Sequence, residues 1–299
     1  MKTLNFVVSL VSRDNDYQRA QAEAAKNAAA RAGATLDVTF CGGDSIVQSQ
    51  QLLDIVQSRL RSPQVNGIVV QPAGTGLQQV ARAAAAAGMG WVLLHKRVDY
   101  MAEIRMKNSV PAFMLSSDHE EEGRIQARQV AALLPADNAV LCIIGPSTDS
   151  IAQMRLEGFK SELPPELQVL SIRGKWTDQS GYDAISSWLR LPTSRQQQIG
   201  IVACQNDAMA IGARRAVADL SDHTFRDKLL GLPFLGCDGL VDSGQAWVRK
   251  GLLRATVVIP VLAGLGVEML ARAIQTGEKP SEHTVVAPVS FPPIDQIKR

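Results

Sequence analysis

Polar and ring-bearing residues recur just beyond short apolar runs, and their types suit one kind of chemistry. Asn15-Asp16-Tyr17-Gln18 follows the first run and His95-Lys96-Arg97 the fourth. Ser117-Asp118, Gln153 with Arg155, Trp176, Gln205-Asn206-Asp207 and Asp238 follow later ones. Planar amides and carboxylates match the hydroxyls of a polyol or sugar, guanidinium groups offer paired donors, and aromatic faces stack on CH patches. Aromatic residues make up only 5% of the chain, so a ring at a strand end carries information. Catalytic chemistry finds no comparable footing. No Ser-His-Asp set is evident, and His95, His119, His223 and His283 lack metal-ligand spacing. Gly74-Thr75-Gly76 and Gly264-Leu265-Gly266 lack the third glycine of a dinucleotide loop, and no GxxxxGK[ST] occurs. No cofactor, no metal and no enzymatic activity are expected.

The elements that must position these residues follow from hydrophobic period. Short apolar runs at Leu4 to Leu10, Ala34 to Phe40, Gly67 to Gln71, Trp91 to Leu94, Ala139 to Ile144, Gln168 to Ile172, Ile199 to Ala203 and Phe234 to Gly236 read as strands covered on both faces. Helical patterns alternate with them, as at Arg19 to Ala32, Leu77 to Ala87 and the Leu52, Ile55, Val56, Leu60 stripe. Gly33 and Gly88 stand where helices should stop. The rhythm breaks at Val98 to Val110, where charged and polar residues intervene, and this stretch reads as a lobe boundary. Four βα units before it and about four after favour two doubly wound parallel-sheet lobes over one eight-unit barrel. At the C-terminal end, strand-like Ala255 to Ile259, a helix from Val261 to Gln275 and a Thr284 to Val289 run would carry the chain back between lobes. The expected division is 1–115 with 259–284, and 116–258 with 285–299. Open parallel sheets bind ligands beyond the carboxyl ends of their strands, where the polar set lies.

The 299 residues carry 31 Lys plus Arg against 29 Asp plus Glu, a formal charge of +2, and no basic block calls for nucleic acid. No segment has the roughly 18 uninterrupted apolar residues of a membrane helix, so no membrane insertion is expected. Met1 to Ser12 reads as a first strand and not as a signal peptide, because Asn5 interrupts it and Arg13-Asp14 replaces a small-residue cleavage site. Cys41, Cys142, Cys204 and Cys237 share no CxxC spacing and sit in or beside apolar runs, as inert buried thiols do.

VVS (Val7 to Ser9), NDYQ (Asn15 to Gln18), SSD (Ser116 to Asp118), RLEGF (Arg155 to Phe159), QNDAMAIGARRA (Gln205 to Ala216) and GCDG (Gly236 to Gly239) together resemble the periplasmic sugar-binding proteins of the ribose-binding type. The same type I fold serves the ligand-binding cores of the lactose-repressor group. The similarity runs in order along nearly the whole chain, and QNDxMAxGA followed by GxDG is its specific part. The resemblance implies two lobes joined by a three-strand hinge, a sugar clamped in the interlobe cleft, and delivery to an ABC permease or a sensor. It also implies a periplasmic or cell-envelope location, whereas the lack of a readable signal peptide points either to a trimmed chain or to a cytoplasmic sensor.

Carried over residue by residue, Asn15 and Tyr17 match a first-lobe amide and aromatic, with Gln18 in place of a second aromatic. Trp176, Asn206 and Asp238 match the second-lobe stacking ring, amide and carboxylate. Lys96-Arg97 stands where the family has an Asp-Arg pair, Gln153 replaces an Arg, and Ile259 replaces a hinge-side Gln. Two cations without the acid point to a sugar derivative bearing an acid group. Asp118 and Gln153 serve either ligand or interlobe hydrogen bonding, and Lys96 has a solvent-facing alternative. Asn206 is assigned to the cleft and Asp207 to the N-cap of the following helix. A lactose-repressor-type regulator core is the rival reading, and in it a helix-turn-helix would have to precede residue 1.

Overall fold

In the computed structural model, which describes residues 3–61, 65–135 and 138–298, the apolar runs become two six-stranded sheets. The first contains β1 (Asn5–Leu10), β2 (Thr35–Phe40), β3 (Gly67–Val70), β4 (Gly90–Leu94), β5 (Ala112–Ser117) and β11 (His283–Val286). Its strand order is β11-β5-β4-β3-β1-β2, with every pairing parallel. The second holds β6 (Ala139–Ile144), β7 (Val169–Arg173), β8 (Ile199–Cys204), β9 (Phe234–Asp238), β10 (Ala255–Val258) and β12 (Val289–Phe291), ordered β12-β10-β9-β8-β6-β7. Only β12 pairs antiparallel.

The chain divides into unit 1, residues 1–117 with 261–286, and unit 2, residues 118–260 with 287–299. In unit 1 the helices α1 (Asp16–Arg31), α2 (Ser45–Arg61), α3 (Gln78–Ala86), α4 (Tyr100–Lys107) and α11 (Leu262–Thr276) cover the sheet. Side chains alternate across a strand, so Phe6, Val8 and Leu10 pack into one cluster with α1 and α11. Val7 faces the opposite cluster with Leu52, Val80 and Met101. Unit 2 has α5 (His119–Leu133), α6 (Ser150–Glu162), α7 (Asp178–Leu189), α8 (Asp207–Ala218), α9 (His223–Leu230) and α10 (Gly244–Arg249), again with one apolar cluster per sheet face. Central strands such as β4, β6 and β8 are buried throughout, whereas edge strands β2 and β7 hold no fully buried residue, because only a central strand is covered on both faces.

Two expectations need correction. Val98 to Val110 does not break the rhythm: it contains α4, and the chain leaves unit 1 only after Ser117. Buried Met101 and Ile104, three residues apart, are enough to dock a short helix whose other faces are charged. The Thr284 to Val289 run is two strands, β11 in the first sheet and β12 in the second. Pro288, lacking an N–H donor, falls in the break between them. All four cysteines are free and buried, and burial pushes the Cys142 thiol up to about 12. No helix among the described residues is long and apolar enough to cross a membrane.

Candidate functional site

At the carboxyl end of the first sheet, the chain leaves β1 and enters α1 through an N-cap. Asn15 is extended, and its side chain accepts from the Gln18 amide N–H at 2.9 Å. Gln18, itself buried, accepts from the Val11 N–H at 3.1 Å, so its carbonyl closes the loop between β1 and α1. Tyr17 is buried edge-on to His95, with ring centroids 5.7 Å apart, and its hydroxyl lies 3.2 Å from His95 Nε2.

Gln21 fixes the polarity of this contact. Its oxygen accepts from the Ala263 main-chain N–H at 2.7 Å, so its NH₂ faces the Tyr17 hydroxyl at 3.0 Å and His95 Nε2 at 2.8 Å. Nε2 is therefore assigned as an acceptor and the proton to Nδ1. Immediately after His95, Lys96 is half-buried and Arg97 exposed, and neither has a carboxylate partner among the described residues. Arg97 still makes itself felt at β11, where burial first and its charge second hold His283 below the ordinary histidine value.

The second sheet presents a denser network at its carboxyl end. Trp176, in the turn between β7 and α7, donates from Nε1 to Asp149 Oδ2 at 3.1 Å and lies over Gly145, where any Cβ would overlap its ring. Beneath it runs buried Arg155, whose guanidinium carbon is 5.5 Å from the ring centroid. Arg155 donates to Glu122 at 2.5 Å and to the Gln205 carbonyl at 2.7 Å. Burial opposes its charge, yet the carboxylates of Glu122 and Asp238 hold its pKa above the ordinary guanidinium value. Asn206 donates to the Trp176 carbonyl at 2.8 Å, which joins the ring to the β8 end.

Asn206, and not Asp207, is the N-cap of α8: its backbone is extended and its oxygen accepts from the Met209 N–H at 2.9 Å. Asp207, already helical, turns inward. It accepts from the Gly239 N–H and from Thr256 Oγ1, each at 2.7 Å. A Cβ at Gly236 would strike its carboxylate. The reason is local: the residue before the first helical one has the extended backbone that lets a side chain reach the N3 amide. Asp207 thus pins the GCDG turn that carries Asp238.

Of the expected site residues, Asn15, Tyr17, Lys96 and Arg97 gather at the carboxyl end of the unit 1 sheet. Trp176, Asn206 and Asp238 gather at that of unit 2. Gln18 is committed to its loop, Asp118 caps α5 by accepting from the Glu121 N–H at 2.9 Å, and Gln153 donates to the Ser147 carbonyl at 3.1 Å. Sequence reasoning missed the supporting roles of His95, Gln21, Asp149 and Glu122. The signal available for His95 was its place directly after β4. Among the described residues, the non-glycine positions with positive φ are His95 at 64°, Trp176 at 67° and Asp238 at 128°, and each lies where its chain leaves a strand. Such strain concentrates at functional sites. Among the described residues no three His, Cys, Asp or Glu side chains are grouped to hold a metal.

Two units of helix-covered, mostly parallel sheet, each with a polar, strained carboxyl-end rim, define an α/β protein of the type I periplasmic binding protein fold. The chain belongs to the periplasmic binding protein domain family, whose model matches residues 6–279. It is 24% identical over 253 residues to the D-apiose import binding protein of Actinobacillus succinogenes, spanning 83% of this chain and 74% of that one. Among solved structures it resembles an ABC transporter periplasmic solute-binding protein of Actinobacillus succinogenes 130z with bound D-allose, at TM-score 0.80, 17% identity and coverage of 98% and 99% of the two chains. A galactofuranose-binding protein superposes at TM-score 0.78 with 21% identity, covering 96% of this chain and 94% of that one.

Proposed function

We propose that this chain is a non-catalytic receptor for a small sugar or sugar derivative, which it hands to an ABC permease or a sensor at the cell envelope. The observation that carries the reading is the strain at His95, Trp176 and Asp238: three side chains held in costly backbone conformations at strand ends, each surrounded by groups suited to hydroxyls or CH faces. In this reading Trp176 stacks on the ring, while Asp238 and Asn206 take hydroxyls from the unit 2 rim. Tyr17 and Asn15 are the candidate ligand groups of the unit 1 rim. Ligand shifts the protein toward whichever conformation holds it more tightly, and that shift is the signal read by the partner. The family's binding proteins and the names of the relatives support this reading.

Lys96 and Arg97, without carboxylate partners among the described residues, support a ligand bearing an acid group. A thermal-shift screen over pentoses, hexoses, sugar acids and inositols tests both parts, since a ligand bound only by the native state raises the melting temperature. Stabilisation by sugar acids above neutral sugars is expected. A flat screen would sink the receptor reading, and tighter calorimetric binding of neutral pentoses would sink the acid preference alone.

A further inference from the structure

The opposite end of the second sheet holds a pocket of about 800 Å³, where β6, β8, β9 and β10 begin. It lies within unit 2, at the amino ends of strands β8 and β9, whose carboxyl ends carry Asn206 and Asp238. Its size suits a small organic molecule. Ile199, Leu232, Val248 and Leu252 contribute apolar wall, and Leu252 remains 37% exposed, a large aliphatic side chain without full cover.

The charge of this pocket is one-sided. Arg214, Lys228, Arg254 and Lys298 line it, and no Asp or Glu does so among the described residues. Elsewhere arginines are commonly paired: Arg82 with Glu103, Arg128 with Glu162, Arg195 with Asp222, Arg272 with Glu278. None of the four pocket cations has a carboxylate partner among the described residues. Arg214 spends one N–H on the Leu230 carbonyl at 3.1 Å and lies 5.5 Å from the Phe234 ring centroid. Arg254 gives two donors to the Lys298 carbonyl. Burial pushes the Arg214 guanidinium below its ordinary value, the cost of a half-buried cation with no counter-charge.

We propose that this pocket binds a small amphiphilic anion, a carboxylate carried on an aliphatic chain. Its tail covers the Ile199, Leu232, Val248 and Leu252 wall, and its head accepts charge-assisted hydrogen bonds from the cations. The apolar wall alone would take a neutral hydrocarbon and the cations alone an inorganic anion; the two together select a molecule with both parts.

Calorimetric titration of the full chain with decanoate below its micellisation concentration tests this, with acetate and decanol as half-matched probes. Decanoate is expected to bind saturably and more tightly than either. Arg214→Gln should weaken it by about tenfold, as a hydrogen bond to a partly desolvated charge does. Lys228→Gln, a change at an exposed position that leaves the fold intact, should weaken it by roughly two- to fivefold. Trp176→Ala, at the other end of the sheet, should leave decanoate binding unchanged. Absence of saturable decanoate binding, equal binding of decanol, indifference to Lys228→Gln, or loss on Trp176→Ala would each overturn the assignment.

Discussion

Asp238 brings together a strained backbone and a chemically useful carboxylate, and two substitutions separate them. At φ 128° a side chain is accommodated at a cost that glycine does not incur. Asp238→Ala and Asp238→Gly both remove the carboxylate and the compensation it gives to buried Arg155, so their difference isolates the backbone. The glycine variant is expected to be more stable than the alanine variant by about 1–2 kcal/mol in denaturant unfolding. Both should lose about 1–3 kcal/mol of affinity for the sugar found in the thermal-shift screen, read by calorimetry. Equal stabilities would mean that the backbone there stores no strain. An unchanged dissociation constant would remove Asp238 from the ligand.

Elements decide whether such a residue is aimed. The turn carrying Asp238 is held by Asp207, the first residue of α8, through the Gly239 N–H and Thr256 Oγ1. Asp207→Ala leaves both donors buried without an acceptor, and should cost about 2–4 kcal/mol of stability as well as weaken binding. Thermal unfolding with calorimetry checks both, and a variant as stable as the parent would show that the turn holds itself. The sequence motif QNDxMAxGA was legible, but the N-cap was assigned to its Asp, whereas the structure gives it to its Asn. A polar pair before a helix looks the same in one dimension whichever member caps it, and only the inward path to Gly239, 32 positions on, separates them. Helix α4 escaped for a similar reason. Its two buried residues, Met101 and Ile104, make too narrow a stripe to stand out among charges, although packing against the Trp91 cluster suffices to hold it. Long, strongly periodic elements such as α1, and fully buried strands such as β6 and β8, were plain because their burial pattern and their sequence pattern coincide.

Across the whole molecule, two sheets were legible from the alternation of strands and helices, but the site's inner layer was not. Gln21 and Ala263, 242 positions apart, meet there beside Tyr17 and His95. The same long return brings β11 to the edge of the first sheet, where His283 lies 2.7 Å from Ser116 Oγ. Burial, then the charge of Arg97, holds His283 below the ordinary value near 6.5, and Glu282 opposes them more weakly. In the unfolded chain that histidine takes up a proton first, so acid favours unfolding. The contribution is fully present above pH ~6.5 and is lost as pH falls from there through the lower folded-state value. Carboxylates held low by ion pairs, Glu103 through Lys107 and Arg82, and Glu278 through Arg272, give way only at more acidic pH. Stability should therefore fall in two stages, and His283→Asn should remove the first while leaving the second. Urea midpoints measured from pH 8 to pH 3 on the parent and the variant decide it: the parent should lose stability relative to the variant as pH falls through the histidine range. If they instead run parallel from pH 8 to pH 5, His283 does not govern the first loss.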